Sequence, residues 1–335
     1  MQLANFLTKA RATIYYTLLL MFVFMSNLIS DFVLYAELLA PVKIGLEKEN
    51  IRKNSIYGWL TYYFSQGVIL IYKIVGLEVY IKKPKTVTTD RCLWISNHRS
   101  KLDGLLVQAF ICAAGCDAAS ITKEEVEKYP IFGTFARHAW SIFIKRNRQA
   151  DELILKQKAI ESIDLGKSII IFPEGATLSP DSKSRSDKFA IYNNLPLTKN
   201  LLVPKTFGYS LLKEHGKFDK VANLTIKYDE PSLMGISEHT FVDLFKIFPR
   251  KIYIDIEYLN IEAGQLCDVF ATKDANLDMT INKDEYSKNT NYSKLWMAIN
   301  VVSFIGFYTG FFLCPSFRYV TLVLTLASVA RTMFF

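Results

Sequence analysis

The chain has 335 residues, half of them hydrophobic and 14% aromatic, and its 40 Lys and Arg against 32 Asp and Glu give a formal charge of +8. Mean hydropathy is positive, high for a soluble enzyme and too low for a chain made of membrane helices alone, so one catalytic domain with a few membrane segments accounts for the length. The basic excess suits an anionic partner; with no zinc-finger or RNA-binding signature, lipid or phosphate is expected and nucleic acid is not.

Lys9 and Arg11 precede residues 13–30, eighteen positions without a charge, just long enough to cross a bilayer. No small-residue cleavage pattern follows, so residues 1–41 read as a retained N-terminal transmembrane anchor. Asp31 keeps open a helix lying in the interface. Lys43, Lys48, Arg52 and Lys53 outnumber Lys9 and Arg11, which puts the catalytic part of the chain on the cytosolic side. Residues 42–81 carry Trp59, Tyr62, Tyr63, Phe64 and Tyr72, but Lys73 and Glu78 argue against a full span. They read as an amphipathic membrane-facing helix and then a strand near 78–81, with a plain core helix as the alternative.

From 82 to 262 strand-like and helix-like segments alternate. Strands are expected at 93–96, 118–121, 141–144, 168–172, 201–203, 223–228 and 252–258, and helices at 104–114, 123–136 and 151–165. That order predicts one α/β domain. Residues 263–294 read as a polar linker. Within it, Asp274, Asn276, Asp278, Thr280, Asn282 and Glu285 mimic a calcium-binding loop, but Met279 stands where the sharp turn requires glycine. Lys294 precedes twenty uncharged residues, 295–314, and residues 319–335 are apolar except for Arg331. Residues 295–335 read as a C-terminal membrane hairpin, a span with a return or a re-entrant pair.

Two stretches carry chemistry. In residues 92–103 an apolar run stops at Ser96, Asn97 and His98, and Asp103 follows where a helix begins. A carboxylate bonded to one imidazole nitrogen fixes the tautomer and leaves the other nitrogen as a base. Such a pair can deprotonate a hydroxyl that attacks an acyl carbon, and no protein nucleophile is needed. His215 with Asp219 and His239 with Asp243 have nearly the same separation, so context rather than spacing selects His98 and Asp103. In residues 168–175 a buried strand is ended by Pro173 and Gly175, which holds Glu174 at its C-terminal end, where open α/β sheets bind ligands. Lys145, Arg146 and Arg148 follow the strand 141–144 and form either a solvated turn or a phosphate clamp.

Other patterns fail. Phe207 to Ser210 lacks the second glycine of a nucleophile elbow, since position 212 is Leu212, and Gly166-Lys167-Ser168 lacks the first glycine of a P-loop, since position 161 is Glu161. The cysteines, Cys92, Cys112, Cys116, Cys267 and Cys314, are odd in number and scattered. They give neither a disulfide framework nor a metal-ligand spacing, and no metal is expected. Asn223 and Asn291 match the glycosylation pattern but carry no sugar if the domain faces the cytosol.

Asn97 to Asp103 resembles the N-H-x4-D signature of the glycerolipid acyltransferases, and Phe172-Pro173-Glu174-Gly175 resembles their F-P-E-G block. Phe143-Ile144-Lys145-Arg146 resembles their F-I-x-R block and Val203-Pro204 their V-P block, in the family's order. Ser182 to Ser186 with Phe189-Ala190 is similar to the eukaryotic branch of lysocardiolipin and lysophosphatidic acid acyltransferases. The resemblance implies an α/β fold, a single acyltransferase domain with a mixed sheet flanked by helices, plus N-terminal and C-terminal membrane helices. It implies acyl transfer from acyl-CoA, a co-substrate rather than a cofactor, to the hydroxyl of a lysophospholipid. His98 and Asp103 would be catalytic. Arg146 would hold the acceptor's phosphate and Glu174 its glycerol part, with Gly175, Asn97 and Pro204 in the same substrate-binding set. The family often has an acidic residue before this arginine, and Lys145 stands there instead. The bilayer is the third partner, and the expected address is the endoplasmic reticulum membrane or a mitochondria-associated one, with the catalytic domain in the cytosol. The rival readings are a lipid-binding protein that kept the fold without the chemistry and a hydrolase using water.

Overall fold

The structure, a computed structural model, describes residues 2–39, 56–74, 76–82, 88, 90–101, 103–129, 132–229, 251–289 and 293–323. Lys43, Lys48, Arg52, Lys53, Asn291 and the hairpin's end from 324 lie outside them, so the charge bias behind the cytosolic orientation does too.

The described residues form an eight-stranded mixed sheet. Its strands are β1 (Glu78–Lys82), β2 (Cys92–Ser96), β3 (Ala118–Lys123), β4 (Ile142–Ile144), β5 (Ser168–Ile171), β6 (Lys220–Tyr228), β7 (Lys251–Leu259) and β8 (Tyr286–Lys288), in the order β4-β3-β5-β2-β6-β7-β1-β8. The β4-β3-β5-β2-β6 block is parallel, β7 runs antiparallel to β6, and β1 is parallel to β7.

Strand side chains alternate between two cores. Cys92, Trp94, Ile170, Ala222, Leu224, Ile226, Ile252 and Ile254 face one, and Leu93, Ile95, Ile169, Ile171 and Val221 face the other. Because β2 and β5 are buried on both faces, they read as continuous apolar runs. The first face is covered by α1 (Gln2–Leu39), α2 (Ile56–Ile74) and α3 (Asp103–Ala113). The second is covered by α6 (Arg148–Asp164), α8 (Thr206–Gly216) and α9 (Leu266–Asp278). The chain leaves β2 for β3 over the first face and leaves β5 for β6 over the second. The crevice between these diverging exits lies at the C-terminal ends of β2 and β5, where such sheets bind ligands.

Several expectations are corrected. Residues 201–203 are a loop rather than a strand. Residues 123–136 hold two short helices, α4 (Glu124–Glu127) and α5 (Phe132–His138), with Pro130 in the sequence between them, a residue that disfavours helix just before itself. The charged stretch 181–188, legible as a surface loop or the start of a helix, is a helix, α7 (Pro180–Tyr192), which starts at a capping box of Ser179 and Ser182 with Pro180 at its first position. The expected linker 263–294 is folded: α9 buries Leu266 and Phe270 completely, and β8 extends the sheet. Asp274 lies within α9, and its carboxylate accepts the N–H groups of Lys199 (2.7 Å) and Asn200 (2.6 Å), so the mimic is no calcium loop. In α2, Tyr63, Phe64, Val68, Ile71 and Tyr72 are all buried against the neighbouring helices. Asn223 is 5% exposed within β6, which no glycan fits.

Helix α1 contains an apolar stretch, Phe6–Ile29, long enough to cross a bilayer and about half buried within the protein. The helix α10 (Lys294–Leu313) is followed by α11 (Pro315–Val323), and the two are bent by 106° where they meet. Val302, Ile305, Phe312, Leu313, Tyr319 and Leu322 on this pair are exposed.

Candidate active site

Strand β2 ends at Ser96, and Asn97 continues its ladder with a side chain. Asn97 donates Nδ2–H to the Ile226 carbonyl (3.0 Å) and accepts the Ile226 N–H at Oδ1 (2.8 Å). Those bonds fix the direction in which His98 leaves the sheet. The His98 side chain is 20% exposed, its Nδ1 lies 3.3 Å from Oδ2 of Asp103, and its ring packs on Phe172 with centroids 4.5 Å apart. Nε2 has no hydrogen-bond partner among the described residues.

Asp103 is completely buried at the start of α3. Its Oδ2 also accepts the N–H groups of Arg99 (2.6 Å) and Ser100 (2.7 Å), and its Oδ1 accepts the Tyr228 hydroxyl. Four donors and a helix N-terminus make this a site for a carboxylate. An acceptor there puts the imidazole proton on Nδ1 and leaves the lone pair on Nε2. The 3.3 Å separation is at the long end for such a bond, as in catalytic pairs without bound substrate.

Glu174 follows β5 in a tight turn. Gly175 closes it with a φ of 69°, a conformation that glycine adopts without steric cost, and donates its N–H to Phe172 O (2.9 Å). Glu174 is 2% exposed, and its two oxygens accept the N–H groups of His98 (2.7 Å) and Leu202 (2.8 Å). The carboxylate thus ties the histidine loop to the loop ahead of Pro204. Pro204 is buried, and Lys205 N–H donates to Pro173 O (2.8 Å). The His98 carbonyl accepts from Leu178 N–H (3.1 Å), so His98 is held at both backbone atoms. Burial pushes Glu174 up to about 8, against the pull of the Leu202 and His98 N–H groups and of Lys273.

Arg146 stands apart. It follows β4, the sheet's edge, and β3 and β5 separate that strand from β2, so the strand axes are about 14 Å apart. Arg146 is exposed with a φ of 60°, and it has no hydrogen bond or ion pair among the described residues. The structure therefore gathers His98, Asp103, Asn97, Glu174, Gly175 and Pro204 and leaves Arg146 on the rim. Asn97 and Glu174 were expected to bind substrate. Their polar atoms are spent on the protein's own backbone, which makes them positioning residues in this geometry. Two partners had no signal in the sequence: Tyr228, 125 positions from Asp103, and Phe172 as the surface beneath the imidazole.

A family model described as Acyltransferase matches residues 78–206. The chain is 26% identical over 224 residues to 1-acyl-sn-glycerol-3-phosphate acyltransferase 3 of Arabidopsis thaliana, covering 64% of this chain and 60% of that protein. To lysocardiolipin acyltransferase 1 of Danio rerio it is 25% identical over 220 residues, covering 62% of this chain and 56% of that protein. The matches thus span little more than half of these relatives' lengths. The crystal structure of the 1-acyl-sn-glycerophosphate (LPA) acyltransferase PlsC from Thermotoga maritima superposes with a TM-score of 0.53 at 18% identity, covering 84% of this chain and 99% of that one. The segment that matches the Acyltransferase family model, residues 78–206, contains both the His98 turn and the Glu174 turn, and the fold is shared with that crystal structure.

Proposed function

We propose that this protein transfers a fatty acyl group from acyl-CoA to the free hydroxyl of a lysophospholipid. The acceptor is lysophosphatidic acid or a related anionic lysolipid such as lysocardiolipin, lysophosphatidylglycerol or lysophosphatidylinositol. The observation that carries this reading is the His98 ring, with Nδ1 on a buried carboxylate, Nε2 without a partner among the described residues, and the side chain 20% exposed. The acceptor hydroxyl attacks the thioester carbon while Nε2 takes its proton. As the C–S bond breaks, the imidazolium returns that proton to the leaving thiolate, giving free coenzyme A and the new ester. Asp103, itself held by Tyr228 and two backbone N–H groups, steadies the imidazolium. Arg146 on the rim is the guanidinium this reading assigns to the acceptor's phosphate, which its two-pronged geometry suits; it would have to reach in from the sheet's edge to a lipid whose hydroxyl lies at His98.

The exposed apolar faces of α1, α10 and α11 support a bilayer as the place where acceptor and acyl chain are found. In this reading α1 anchors the domain and the bent pair is a second membrane element. The endoplasmic reticulum membrane, with the site facing the cytosol, remains the proposed address. The mechanism asks nothing of a cofactor beyond acyl-CoA as co-substrate.

The test is acyl transfer by the purified protein from a panel of acyl-CoAs to a panel of lysophospholipids. Wild type should form diacyl product with at least one anionic acceptor, and His98→Ala should lose transfer while its thermal unfolding is unchanged. Near-normal transfer by His98→Ala, or coenzyme A release without lipid product, would overturn the reading.

A further inference from the structure

Helix α7 starts beside the site and leads away from it. Leu178, just ahead of the helix, donates its N–H to the His98 carbonyl (3.1 Å), and thirteen residues follow in the helix, a reach of about 20 Å. Its inner side is fixed: Ala190 is fully buried, and the Ser186 hydroxyl accepts the Val203 N–H (2.8 Å). Its far end is closed by Asn194 with a φ of 52°, Leu195 N–H donating to Ala190 O (2.9 Å) and Asn194 N–H to Ile191 O (3.3 Å). The chain beyond is anchored where Lys199 and Asn200 donate their N–H groups to Asp274. Yet this braced tip holds Ile191, Tyr192 and Leu197 with 67%, 87% and 61% of their surface in water. Large apolar side chains kept exposed on a fixed support mark a contact surface. Arg185 and Lys188 share the outer side of the helix with Ile191 and Tyr192, at spacings of three and four residues. Both are exposed, and neither has a hydrogen bond or ion pair among the described residues.

We propose that the tip of α7 docks on the surface of an anionic phospholipid bilayer. Ile191 and Leu197 enter the boundary between headgroups and acyl chains, the Tyr192 ring lies at headgroup level, and Arg185 and Lys188 meet lipid phosphates. The proposal rests on the acyltransfer reading for what the contact is for. Three observations favour a bilayer over a protein partner. The acceptor in that reading is an anionic lipid. The same chain holds an apolar stretch, Phe6–Ile29, long enough to cross a bilayer. Basic and aromatic side chains around an apolar tip match the chemistry of the headgroup boundary, apolar on one side and charged on the other. With the tip docked, the His98 turn lies no more than about 20 Å, one helix length, from the headgroups.

The experiment places a fluorescent label on the full chain, at Tyr192→Cys, with Cys267→Ser and Cys314→Ser removing the two cysteines that are not buried. A control label goes at Glu214→Cys, an exposed position near the end of α8, whose last residue, Gly216, holds Arg91 ahead of β2. Each protein is reconstituted into vesicles of phosphatidylcholine with phosphatidylglycerol, or of phosphatidylcholine alone, carrying headgroup nitroxide lipids as quenchers. The label at 192 should be quenched several-fold more than the label at 214, and more strongly with phosphatidylglycerol than without it. A second measurement needs no label. Ile191→Asp with Tyr192→Asp should lower kcat/KM about tenfold or more for a lysolipid carried in the anionic vesicles. Transfer to a short-chain lysolipid dissolved as monomers should stay at the wild-type rate, which shows the fold and the chemistry intact. Equal quenching at the two positions, whether because the tip faces water or because a protein covers it, would overturn the proposal. So would quenching as strong in phosphatidylcholine alone, or the same loss of activity on both acceptors. Wild-type transfer separates the two ideas: an inactive wild type defeats the acyltransfer reading while the label still reports the lipid contact, and an active wild type with an unquenched tip defeats this inference alone.

Discussion

Tyr228 touches the proposed His98–Asp103 pair from behind, donating its hydroxyl to the Asp103 oxygen that His98 does not use. Hydrogen bonds to buried charges are each worth about 1.5–3 kcal/mol. Tyr228→Phe should therefore lower kcat by on the order of tenfold, with KM for both substrates nearly unchanged, because the bond matters most when the imidazolium forms. Steady-state kinetics on both substrates check this. Glu174 makes a different prediction. Burial raises its pKa from an ordinary 4.5 to about 8, so folding favours its protonated form. Its contribution to stability is fully present below pH 4.5 and is lost as the pH rises through about 8. The coupled change at Lys273, lowered from 10.5 to about 7, acts above pH 7. Between pH 4.5 and 7, wild-type Tm should thus fall with rising pH more steeply than that of Glu174→Gln, as differential scanning calorimetry can show.

At the scale of elements, what was legible in the sequence was local. The strand end, turn and helix start around His98 and Asp103 fall within twelve consecutive residues, 92–103, and their geometry follows from that order. Glu174 was legible as a strand-end carboxylate but not as a clamp, because its partners are backbone N–H groups 76 and 28 positions away. Backbone donors leave no mark on residue identity. Helix α9 was hidden by its own acids: Asp274 and Asp278 looked like cation ligands, whereas Asp274 binds the amides of a neighbouring loop. Helix α7 announces itself through Ser179, Pro180 and Ser182, while its charge run alone fits a surface loop or a helix start. The turn at Gly175 yields a prediction of its own. A Cβ there would meet only Lys205, at 3.5 Å or more, so Gly175→Ala costs backbone strain alone. That is about 1–2 kcal/mol, to be read from denaturant unfolding, with activity falling because the turn carries Glu174.

At the scale of the molecule, one sheet separates two functions. The face covered by α6, α8 and α9 braces the site from behind, and the other face meets α1, α2 and α3, with α10 packed on α2 and α1. The joint among these outer helices is specific. A Cβ at Gly67 of α2 would fall 1.9 Å from the Phe22 ring of α1 and 2.6 Å from Oδ1 of Asn300 on α10. Asn300 Nδ2 donates to the Tyr63 carbonyl (3.2 Å), and the Tyr308 hydroxyl donates to the Met21 carbonyl (2.8 Å). The three helices are therefore joined by specific contacts, and α10 exposes its apolar surface next to that joint. Val302 and Ile305 are 70% and 59% exposed on that surface, so aspartates there leave the protein's own packing intact. In hydrocarbon each aspartate would cost about 2.5 kcal/mol or more. A double variant, Val302→Asp with Ile305→Asp, should keep the wild-type Tm in detergent yet bind neutral phosphatidylcholine vesicles at least about tenfold more weakly in high salt, where apolar contact rather than charge holds the protein. Flotation at matched protein concentration measures this. Unchanged vesicle binding would mean that α10 points away from the bilayer and that α1 alone provides the anchor.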